Sequence, residues 1–510
     1  MELKNNYYFS SFFWSTFQKI LNAVVGFISV PLLLGYYGKA EYGILGIATA
    51  CNGYMHLLDL GMNVGAIKFF SQWKTEGKKE LLDRVARTNI TFYGIIALIN
   101  IVGLVVLAIW GEKLFAVTHE QFLQLRICLF VIALFSVFSW ASTTFRQLLV
   151  AHMQISYTMQ VQCVMTVLKA LLIGAVFFFN LSLTQYFFWL TGIVSMLIIP
   201  FAIQCHKLGI LNSFRPATYW SDFKIVLTFS LSIFALSLFQ MTSTQSRPII
   251  LSIFADNGAE AVADFRIVEV VPLLIIMICG TFSSIFLPKA SELVANRNQN
   301  EIEKFAYKWT IFTTILANCI CFPVLIGGGH VIAAYVGRGY EYLTIWLFIW
   351  TVCVLLQIHS TPTNSLILSY GKTKVMVYVT ATACVVSMVI NAYLAKTFSV
   401  GSAVIGYTIY IIINLFSYYG FYYKRTLHIS NKKIALSFLN PTLCGFLAAV
   451  PVWYQLKELN FNVVSVRVSE LLTFSIKTLT WLVVYGLLIF SMRIVKVKNR
   501  RVYTKYDITS

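Results

Sequence analysis

The side chains of this sequence that could do chemistry are a few ionisable groups set inside long apolar runs. Arg247, Lys169 and Lys19 are cations in or at the ends of such runs, and Asp59 and Glu269 are carboxylates. An ionisable group surrounded by apolar sequence is costly to bury, so it normally faces a cavity or a partner. Guanidinium and ammonium groups suit phosphate oxygens. We therefore predict that each of these groups faces a cavity or a partner, and these positions are the candidates for contact with a substrate.

The elements that carry these residues are predicted to be transmembrane helices. Of the 510 residues, 58% are hydrophobic and 12% are charged, whereas soluble domains hold about 25% charged residues. Apolar runs of about 20 residues match the ~30 Å hydrocarbon core, and a helix satisfies its own backbone hydrogen bonds there. The sequence predicts an all-α polytopic membrane protein of about fourteen transmembrane helices. The predicted spans are 12–36, 42–67, 88–110, 123–145, 155–178, 184–205, 223–246, 262–287, 309–326, 342–368, 375–395, 402–423, 434–455 and 470–492.

The net charge of +19 is explained by membrane topology. With the N-terminus inside, the predicted cytoplasmic segments hold about three times as many Lys and Arg residues as the opposite side, which is a positive-inside signal. The basic clusters include Lys68–Arg87, Lys289–Lys308 and the tail Arg493–Lys505. We therefore expect both termini in the cytoplasm and no nucleic-acid partner.

A weak internal repeat divides the chain. The same offset separates Glu41 from Glu260 and Gly61 from Gly280, and it also relates two basic cytoplasmic segments. Halves with six spans each would share one orientation in the membrane. The predicted parts are an N-terminal six-helix bundle over 1–210, a C-terminal six-helix bundle over 211–430, and helices 13 and 14 with a basic cytoplasmic tail over 431–510.

Enzyme motifs are absent from the sequence. It contains no GxxxxGK[ST] phosphate loop, no HExxH and no GxSxG. The seven His are scattered and the ten Cys form no CxxC pair, so we predict no metal site and no cofactor. The sequence indicates a transporter and not an enzyme.

Several of these residues also have a simpler structural interpretation. Lys19 and Lys477 lie about a third of the way into their spans, from where the aliphatic stem can carry the ammonium group to the membrane interface. Arg247 precedes a proline and could mark an interfacial helix end. Asp59 could cap a turn, and His359, which could carry a proton, could instead be a hydrogen-bonded packing residue.

The most distinctive block of the sequence is Pro31–Gly43, which is followed by Leu58–Gly61 and Ala66–Lys68. These stretches resemble the N-terminal signature of bacterial polysaccharide flippases, the O-antigen and capsule exporters of the multidrug/oligosaccharidyl-lipid/polysaccharide (MOP) superfamily. Asn364–Lys374 resembles the family's turn between spans ten and eleven, and Val400–Gly406 resembles its entry to span twelve. Together these blocks sample most of the chain except the C-terminal helix pair, which matches no motif of the family.

The resemblance implies two six-helix bundles in a V around a central cavity that works by alternating access. It implies flipping of an undecaprenyl-diphosphate-linked oligosaccharide, an O-antigen, capsule or exopolysaccharide repeat unit, from the inner to the outer leaflet of the bacterial cytoplasmic (inner) membrane. Arg247, Lys169 and Lys19 would then be the cationic lining, and helices 13 and 14 would hold the polyprenyl tail. The implied partners are this lipid-linked substrate, membrane lipids and polysaccharide polymerase machinery.

Other transporters remain as alternatives. A drug/cation antiporter of the same superfamily should use embedded acids, for which only Asp59 and Glu269 are available; with His359 they are also the candidates to bind a coupling ion, H⁺ or Na⁺. A lipid II-type flippase would act on a related substrate. An unrelated secondary transporter is disfavoured by the Pro31–Lys68 block, and a membrane-bound polymerase is disfavoured by the short predicted loops.

Overall fold

A computed structural model of the chain describes residues 2–211, 213–371, 374–455, 466–491, 495–498 and 501–504. Almost all of them are helical. The helices are α1 (Glu2–Met55), α2 (Met62–Thr75), α3 (Lys79–Trp110), α4 (His119–Ala151), α5 (Ile155–Phe179), α6 (Leu183–Ser195), α7 (Ile198–Lys207), α8 (Trp220–Phe254), α9 (Gly258–Ala295), α10 (Gln299–Tyr335), α11 (Thr344–Ile358), α12 (Thr361–Ser369), α13 (Lys374–Phe398), α14 (Val400–Ser417), α15 (Tyr423–Arg425), α16 (Asn431–Gln455) and α17 (Val466–Ser491).

Within the described ranges, eleven helical segments are long and apolar enough to cross a membrane. The first, Phe13–Asp59, covers two predicted spans because α1 continues through a kink at Gly38, whose φ is 80°. Every predicted span overlaps a described helix. The prediction of an all-α multi-pass membrane protein is confirmed, whereas the count of fourteen stays a prediction.

The outward faces of the helices are apolar. On α3, the side chains of Leu98 and Val102 are 61% and 62% exposed, and on α17 those of Leu479 and Val483 are 63% and 62% exposed. These residues recur at the three- or four-residue spacing of one helix face. Water does not tolerate such continuous apolar stripes, whereas lipid does, so these faces contact the bilayer.

Three predicted spans contain breaks that hydropathy does not reveal. The span 42–67 is interrupted by a 3₁₀ turn at His56–Asp59 and by left-handed backbone at Leu60 and Gly61, with φ of 51° and 71°. Glycine is needed at Gly61 because a Cβ there would lie 2.8 Å from the Ser230 carbonyl oxygen. The other two breaks separate α6 from α7 and α11 from α12.

Two helix starts follow from a sequence signature. Thr118 begins α4 and Ser182 begins α6, and each side-chain oxygen accepts a hydrogen bond from the backbone three residues on. In both cases the third residue, Gln121 or Gln185, accepts a hydrogen bond from the backbone N–H of the first. These reciprocal bonds satisfy donors that a helix start leaves unpaired.

The chain packs into two compact units. The first unit contains Met1–Ala263 with Ala395–Ser399, and the second contains Asp264–Leu394 and Val400–Ser510. In the first unit, Phe70, Trp73, Tyr93, Trp140 and Phe223 belong to one buried cluster. These units are defined by contacts between residues and not by the internal repeat. The division predicted at residues 210 and 430 therefore stays a prediction.

The helix bounds recur along the chain at the offset noted in the sequence. Helix α3 begins at Lys79 and α10 begins at Gln299, one residue beyond the same offset. The described part of α13 ends at Phe398, and α5 ends at Phe179, so these two helix ends are separated by the offset itself.

The basic tail contains the described strands. Strands β1 (Val495–Lys498) and β2 (Arg501–Thr504) pair antiparallel, with Val495 opposite Thr504. The prediction of an all-α chain does not include this hairpin, because the tail is interpreted from its basic charge and not from its alternating Val and Lys residues. The hairpin lies outside the membrane-spanning helices and does not alter the fold class.

Candidate functional site: a polar cavity in the first unit

Polar side chains lie at the end of α1 and at the start of the 3₁₀ turn that follows it. The 3₁₀ turn that begins at His56 follows α1 directly, and Asp59 ends it. Thr49, Asn52 and His56 recur at a helical spacing of three and four residues, so they share one face of the α1 C-terminal half. This face forms one wall of a cavity.

The cavity lies entirely within the first unit. Helices α1, α3, α4, α5 and α6 supply its walls. The lining residues are Thr49, Asn52, His56, Asn100, Ile132, Phe135, Ser136, Ser139, Trp140, Lys169, Phe187, Leu190, Thr191, Val194 and Ser195.

Hydroxyl and amide groups dominate the polar part of this lining. The Asn100 amide donates to the Ser136 hydroxyl at 3.2 Å, which ties α3 to α4 at the cavity wall. Thr191 and Ser195 on α6 instead donate to carbonyl oxygens of their own helix, at 2.8 and 2.9 Å. The hydroxyl oxygens keep acceptor capacity, because a hydroxyl donates one hydrogen bond and accepts others. The wall can therefore bind a hydroxyl-rich ligand.

Lys169 supplies the positive charge of the cavity. It extends from the middle of α5, its side chain is partly buried, and among the described residues it forms no ion pair with a carboxylate. The described lining also contains no Asp or Glu. An ionisable group in a membrane helix normally faces a cavity or a partner, and Lys169 faces this cavity. Of the three predicted cations, Lys169 is the one that the structure places on this cavity.

Aromatic rings occupy one side of the cavity. The Trp140 ring lies 5.3 Å from the His56 ring and is stacked on Tyr93 at 5.7 Å. Phe135 and Phe187 complete the aromatic lining. Flat apolar rings beside hydroxyls and amides are suited to sugars, which have both C–H faces and hydroxyl edges.

Arg247 lies elsewhere in the first unit. It is inside α8, which continues through Pro248 to Phe254, and its side chain is 5% exposed. That burial distinguishes it from an interfacial residue at a helix end. Two residues before it, Gln245 packs tightly on α1, since a Cβ on Gly53 would lie 2.7 Å from its Oε1. Arg247 is not among the residues that line the cavity.

Lys19 and Lys477 are also outside the cavity. Lys19 is on the exposed surface of α1, which fits an ammonium group that reaches the membrane interface. Lys477 is buried in the second unit, where its Nζ lies 2.8 Å from Nε2 of His330. The structure therefore separates the cations that the sequence analysis grouped by their position in apolar runs.

Asp59 has a structural role in this arrangement. Its Oδ2 accepts a hydrogen bond from the backbone N–H of Asn63 at 3.2 Å, which caps the start of α2. Its Oδ1 accepts from the Tyr93 hydroxyl at 2.5 Å, and that hydroxyl accepts from the Gln147 amide at 2.8 Å. The carboxylate thus holds the broken end of α1 against α2, α3 and α4.

We expect Asp59→Asn to retain transport, because an asparagine oxygen can still cap α2 and its amide can donate to Tyr93. The expected loss is about 1 kcal/mol of stability, the usual net worth of one hydrogen bond, because the Tyr93 hydroxyl loses its carboxylate acceptor. A thermal unfolding curve of the purified protein and a transport assay check this. Complete loss of transport with an unchanged unfolding temperature would instead identify Asp59 as a carrier of the coupling ion.

The other two predicted polar residues lie in the second unit. Glu269 accepts a hydrogen bond from Arg266 one helical turn away at 2.8 Å, so its charge is balanced locally. His359 is 2% exposed, with its Nδ1 2.6 Å from the Leu356 carbonyl oxygen and its Nε2 3.2 Å from the Tyr419 hydroxyl. These hydrogen bonds within the protein are typical of residues with a structural role.

The sequence analysis missed most of the cavity wall. The signal that could have identified these residues is a stripe of polar side chains at helical spacing inside an apolar span. Thr49, Asn52 and His56 form one such stripe, and Thr191 and Ser195 form another. A single ionisable residue stands out in a hydropathy profile, whereas hydroxyls and amides do not.

Comparison with known proteins yields likeness of fold only. No protein-family model matches the chain, and no curated protein matches its sequence. Among solved structures, the lipid II flippase MurJ in an inward closed conformation superposes with a TM-score of 0.71 at 11% identity, covering 94% of this chain and 99% of that one.

Two further structures share the fold. An inward-facing multidrug resistance MATE family transporter of the MOP superfamily has a TM-score of 0.64 at 14% identity, covering 78% of this chain and 92% of its own. A MOP superfamily transporter from Pyrococcus furiosus Vc1, described as having a binding pocket of reversed polarity, has a TM-score of 0.54 at 12% identity over 84% and 92% of the two chains. This chain therefore has the fold of MOP-superfamily transporters.

Proposed function

We propose that the protein flips an undecaprenyl-diphosphate-linked oligosaccharide, an O-antigen, capsule or exopolysaccharide repeat unit, across the bacterial cytoplasmic membrane. The observation that carries the proposal is Lys169, a cation with no described ion-pair partner, on the wall of a cavity rich in hydroxyls, amides and aromatic rings. The MOP fold and the Pro31–Gly43 block support it independently.

The chemistry of the cavity fits the head of this substrate. A diphosphate and a sugar cannot enter hydrocarbon unaided, because charged and polar groups lose their hydration there. In the proposed complex, the Lys169 ammonium group binds diphosphate oxygens while Asn52, Asn100 and the hydroxyls bind the sugar. The polyprenyl tail needs no such site, since it remains in lipid while the headgroup crosses.

A drug/cation antiporter is less compatible with this cavity. A cationic drug needs a carboxylate, and the described lining has none. Asp59 and Glu269, the acids that the sequence offers for this role, are already bonded to Asn63 and Tyr93, and to Arg266. A cation would also meet repulsion from Lys169.

A lipid II-type flippase is the second candidate. The likeness to MurJ favours it, because the alignment covers 94% of this chain and so extends to the C-terminal helix pair. The proposed headgroup chemistry is the same in both cases, a diphosphate joined to a sugar. The Pro31–Gly43 block favours the polysaccharide substrate.

The proposed transport cycle needs an energy source and a location. No nucleotide motif is present in the sequence, so we propose that an ion gradient, H⁺ or Na⁺, drives transport by alternating access. Both termini would lie in the cytoplasm, and the released repeat unit would pass to polysaccharide polymerase machinery at the outer leaflet. The basic segments follow the charge bias expected for that orientation.

The decisive experiment combines a deletion strain with reconstitution. We expect deletion of the gene to remove the surface glycan and to leave oligosaccharide-linked undecaprenyl diphosphate in the inner leaflet, as measured by mass spectrometry of extracted lipids. Purified protein in liposomes should then move a fluorescent lipid-linked oligosaccharide between leaflets, and lipid II serves as the competing substrate.

The outcomes separate the candidates. Faster translocation of lipid II than of the oligosaccharide lipid would favour the second candidate. An intact surface glycan, with no accumulated oligosaccharide lipid, would overturn both. Export of a cationic dye with no translocation of either lipid would establish the antiporter.

A further inference from the structure

A cluster of four ionisable side chains in the second unit is not used by the proposed cavity. Glu470 on α17 is 7% exposed and lies at the centre of the cluster. Its Oε2 is 2.6 Å from Nδ1 of His330 on α10, and its Oε1 accepts from the Arg338 guanidinium group at 2.8 and 3.1 Å. Lys477, two turns along α17, places its Nζ 2.8 Å from Nε2 of His330.

The contacts fix where the protons are. A charged lysine has three N–H donors and no acceptor, so Nε2 of His330 must accept from Lys477. In neutral imidazole the other ring nitrogen then carries the proton, and Nδ1–H donates to Glu470. His330 therefore joins the cation of Lys477 to the carboxylate of Glu470 only while it is neutral.

A second proton on His330 would break this arrangement. It would occupy Nε2, remove the acceptor for Lys477, and set two positive charges 2.8 Å apart. Like charges at this separation repel strongly where the surroundings are less polarisable than water. Lys477 must then move away or lose its own proton, so the two side chains compete for one proton.

The other charged groups near the cluster do not supply an alternative partner. Arg338 is already bonded to Glu470 and is also near Glu341 in its own 3₁₀ turn. From α16, the described titratable group that faces α17 is Cys444, and it lies near Tyr485, two turns beyond Lys477. The response to protons therefore depends on His330, Glu470 and Lys477.

The cluster lies beyond a kink in α10. Pro323 and Gly327 interrupt this helix, with non-helical backbone at Gly327, and the Phe474 ring of α17 packs on the kink. A Cβ on Gly327 would lie 2.6 Å from that ring. His330 is one turn past the kink, so its bonds attach the last part of α10 to α17.

Contacts on the other side of the kink do not depend on protons. Trp481 stacks on Phe322 at 5.2 Å and donates its indole N–H to the Gly445 carbonyl oxygen at 3.0 Å. Asn318 donates to the Tyr485 hydroxyl at 2.9 Å. Helix α17 is thus bonded to the first part of α10 whatever the pH. Its bond to the last part of α10 through Lys477 and His330 depends on the protonation of His330.

We propose that His330 is a proton-binding site, and that protonation separates Lys477 from His330 and so weakens the attachment of the end of α10, residues 328–335, to α17, while Arg338 stays bonded to Glu470. As a step of transport, this inference rests on the proposed function, in which an ion gradient drives the cycle. It assigns H⁺ as the coupling ion and places its site between α10 and α17 in the second unit, whereas the Lys169 cavity belongs to the first unit.

The test is amide hydrogen exchange of the full chain in lipid nanodiscs at pH 5.5 and 7.5, corrected for the intrinsic effect of pH. We expect exchange in residues 328–335 to be at least fivefold faster at pH 5.5, since histidine side chains can change charge between these pH values. In His330→Gln, exchange should be the same at both pH values. Lys477→Gln removes the competing cation, so its exchange should differ less between the two pH values than that of the wild type.

The matched control is His119→Gln. His119 also lies 2.6 Å from a carboxylate, that of Glu112, but it is exposed and belongs to the first unit. This variant should keep the wild-type difference between the two pH values. A pH difference that persists in His330→Gln, or none in the wild type, would overturn the proposed site.

Translocation in liposomes is the second measurement. We expect a pH gradient to accelerate wild-type translocation and to have no effect on His330→Gln, which should retain the rate seen without a gradient. A wild-type protein that translocates no lipid would count against the proposed function alone, because the exchange experiment tests the proton site without any substrate.

Discussion

Lys169→Ala is expected to reduce translocation of the lipid-linked oligosaccharide at least tenfold. Hydrogen bonds to charged groups contribute about 1.5–3 kcal/mol, and 1.4 kcal/mol corresponds to a factor of ten. The amount of folded protein should not fall, because no described carboxylate is left without its partner when the lysine is removed. The surface glycan of a deletion strain carrying the variant, compared with its abundance in membranes, measures both effects.

Two further variants make this expectation specific. Lys169→Arg keeps the charge and should retain a substantial part of the translocation rate, whereas Lys169→Gln, which keeps only polarity, should behave like alanine. Lys19→Ala is the matched control, because Lys19 is also in a membrane helix but is exposed and outside the cavity. Wild-type export by Lys169→Ala would show that the cavity cation does not bind substrate.

Arg247 allows a related comparison within the same unit. It is more deeply buried than Lys169 but does not line the cavity. Its removal should therefore affect folding as well as transport, so a loss of export in Arg247→Ala is informative only when protein abundance is measured beside it. Lys169 is the cleaner probe of the substrate.

The sequence was sufficient to predict the helices and their approximate positions. An apolar run long enough to cross the bilayer must be helical in lipid. The helices can therefore be predicted without knowing how they pack. The breaks were not predictable in the same way. The turn at His56–Asp59 depends on Gly61 approaching Ser230, a contact between residues far apart in sequence.

Of the residues that line the candidate site, only the charged one could be predicted from the sequence. Lys169 could be identified because a lone ammonium group within an apolar run needs a polar surrounding. The prediction that Lys19 and Arg247 share its environment used the same reasoning, and the structure places neither on the cavity. Hydropathy gives a depth along a helix, whereas the direction in which a side chain points depends on the neighbouring helices.

The His330 cluster shows the same limit. His330 and Glu470 are separated by 140 residues, and each alone is an unremarkable polar residue near a helix end. Lys477 could be interpreted as a lysine that reaches the interface. Only the packing of α17 on α10 brings the three together, so no local pattern could have predicted a proton site there.

Gly43→Ala is expected to have the largest effect on the amount of folded protein. Gly43 is buried in α1, and a Cβ there would overlap the backbone carbonyl oxygen of Ala259 in the same unit. A backbone group cannot turn aside as a flexible side chain can, so α1 would have to move away from this segment. Overpacking of a close contact costs about 1–3 kcal/mol, often with displacement of the backbone.

Gly26→Ala is the control, since Gly26 lies in the same helix and a Cβ there would meet no atom within 4 Å. We expect Gly43→Ala to lower the monodisperse fraction in size-exclusion chromatography severalfold and Gly26→Ala to leave it unchanged. Equal yields from the two variants would mean that α1 does not approach Ala259 so closely. Because Gly43 ends the Pro31–Gly43 block that resembles polysaccharide flippases, the result also tests whether this motif serves helix packing and not substrate binding.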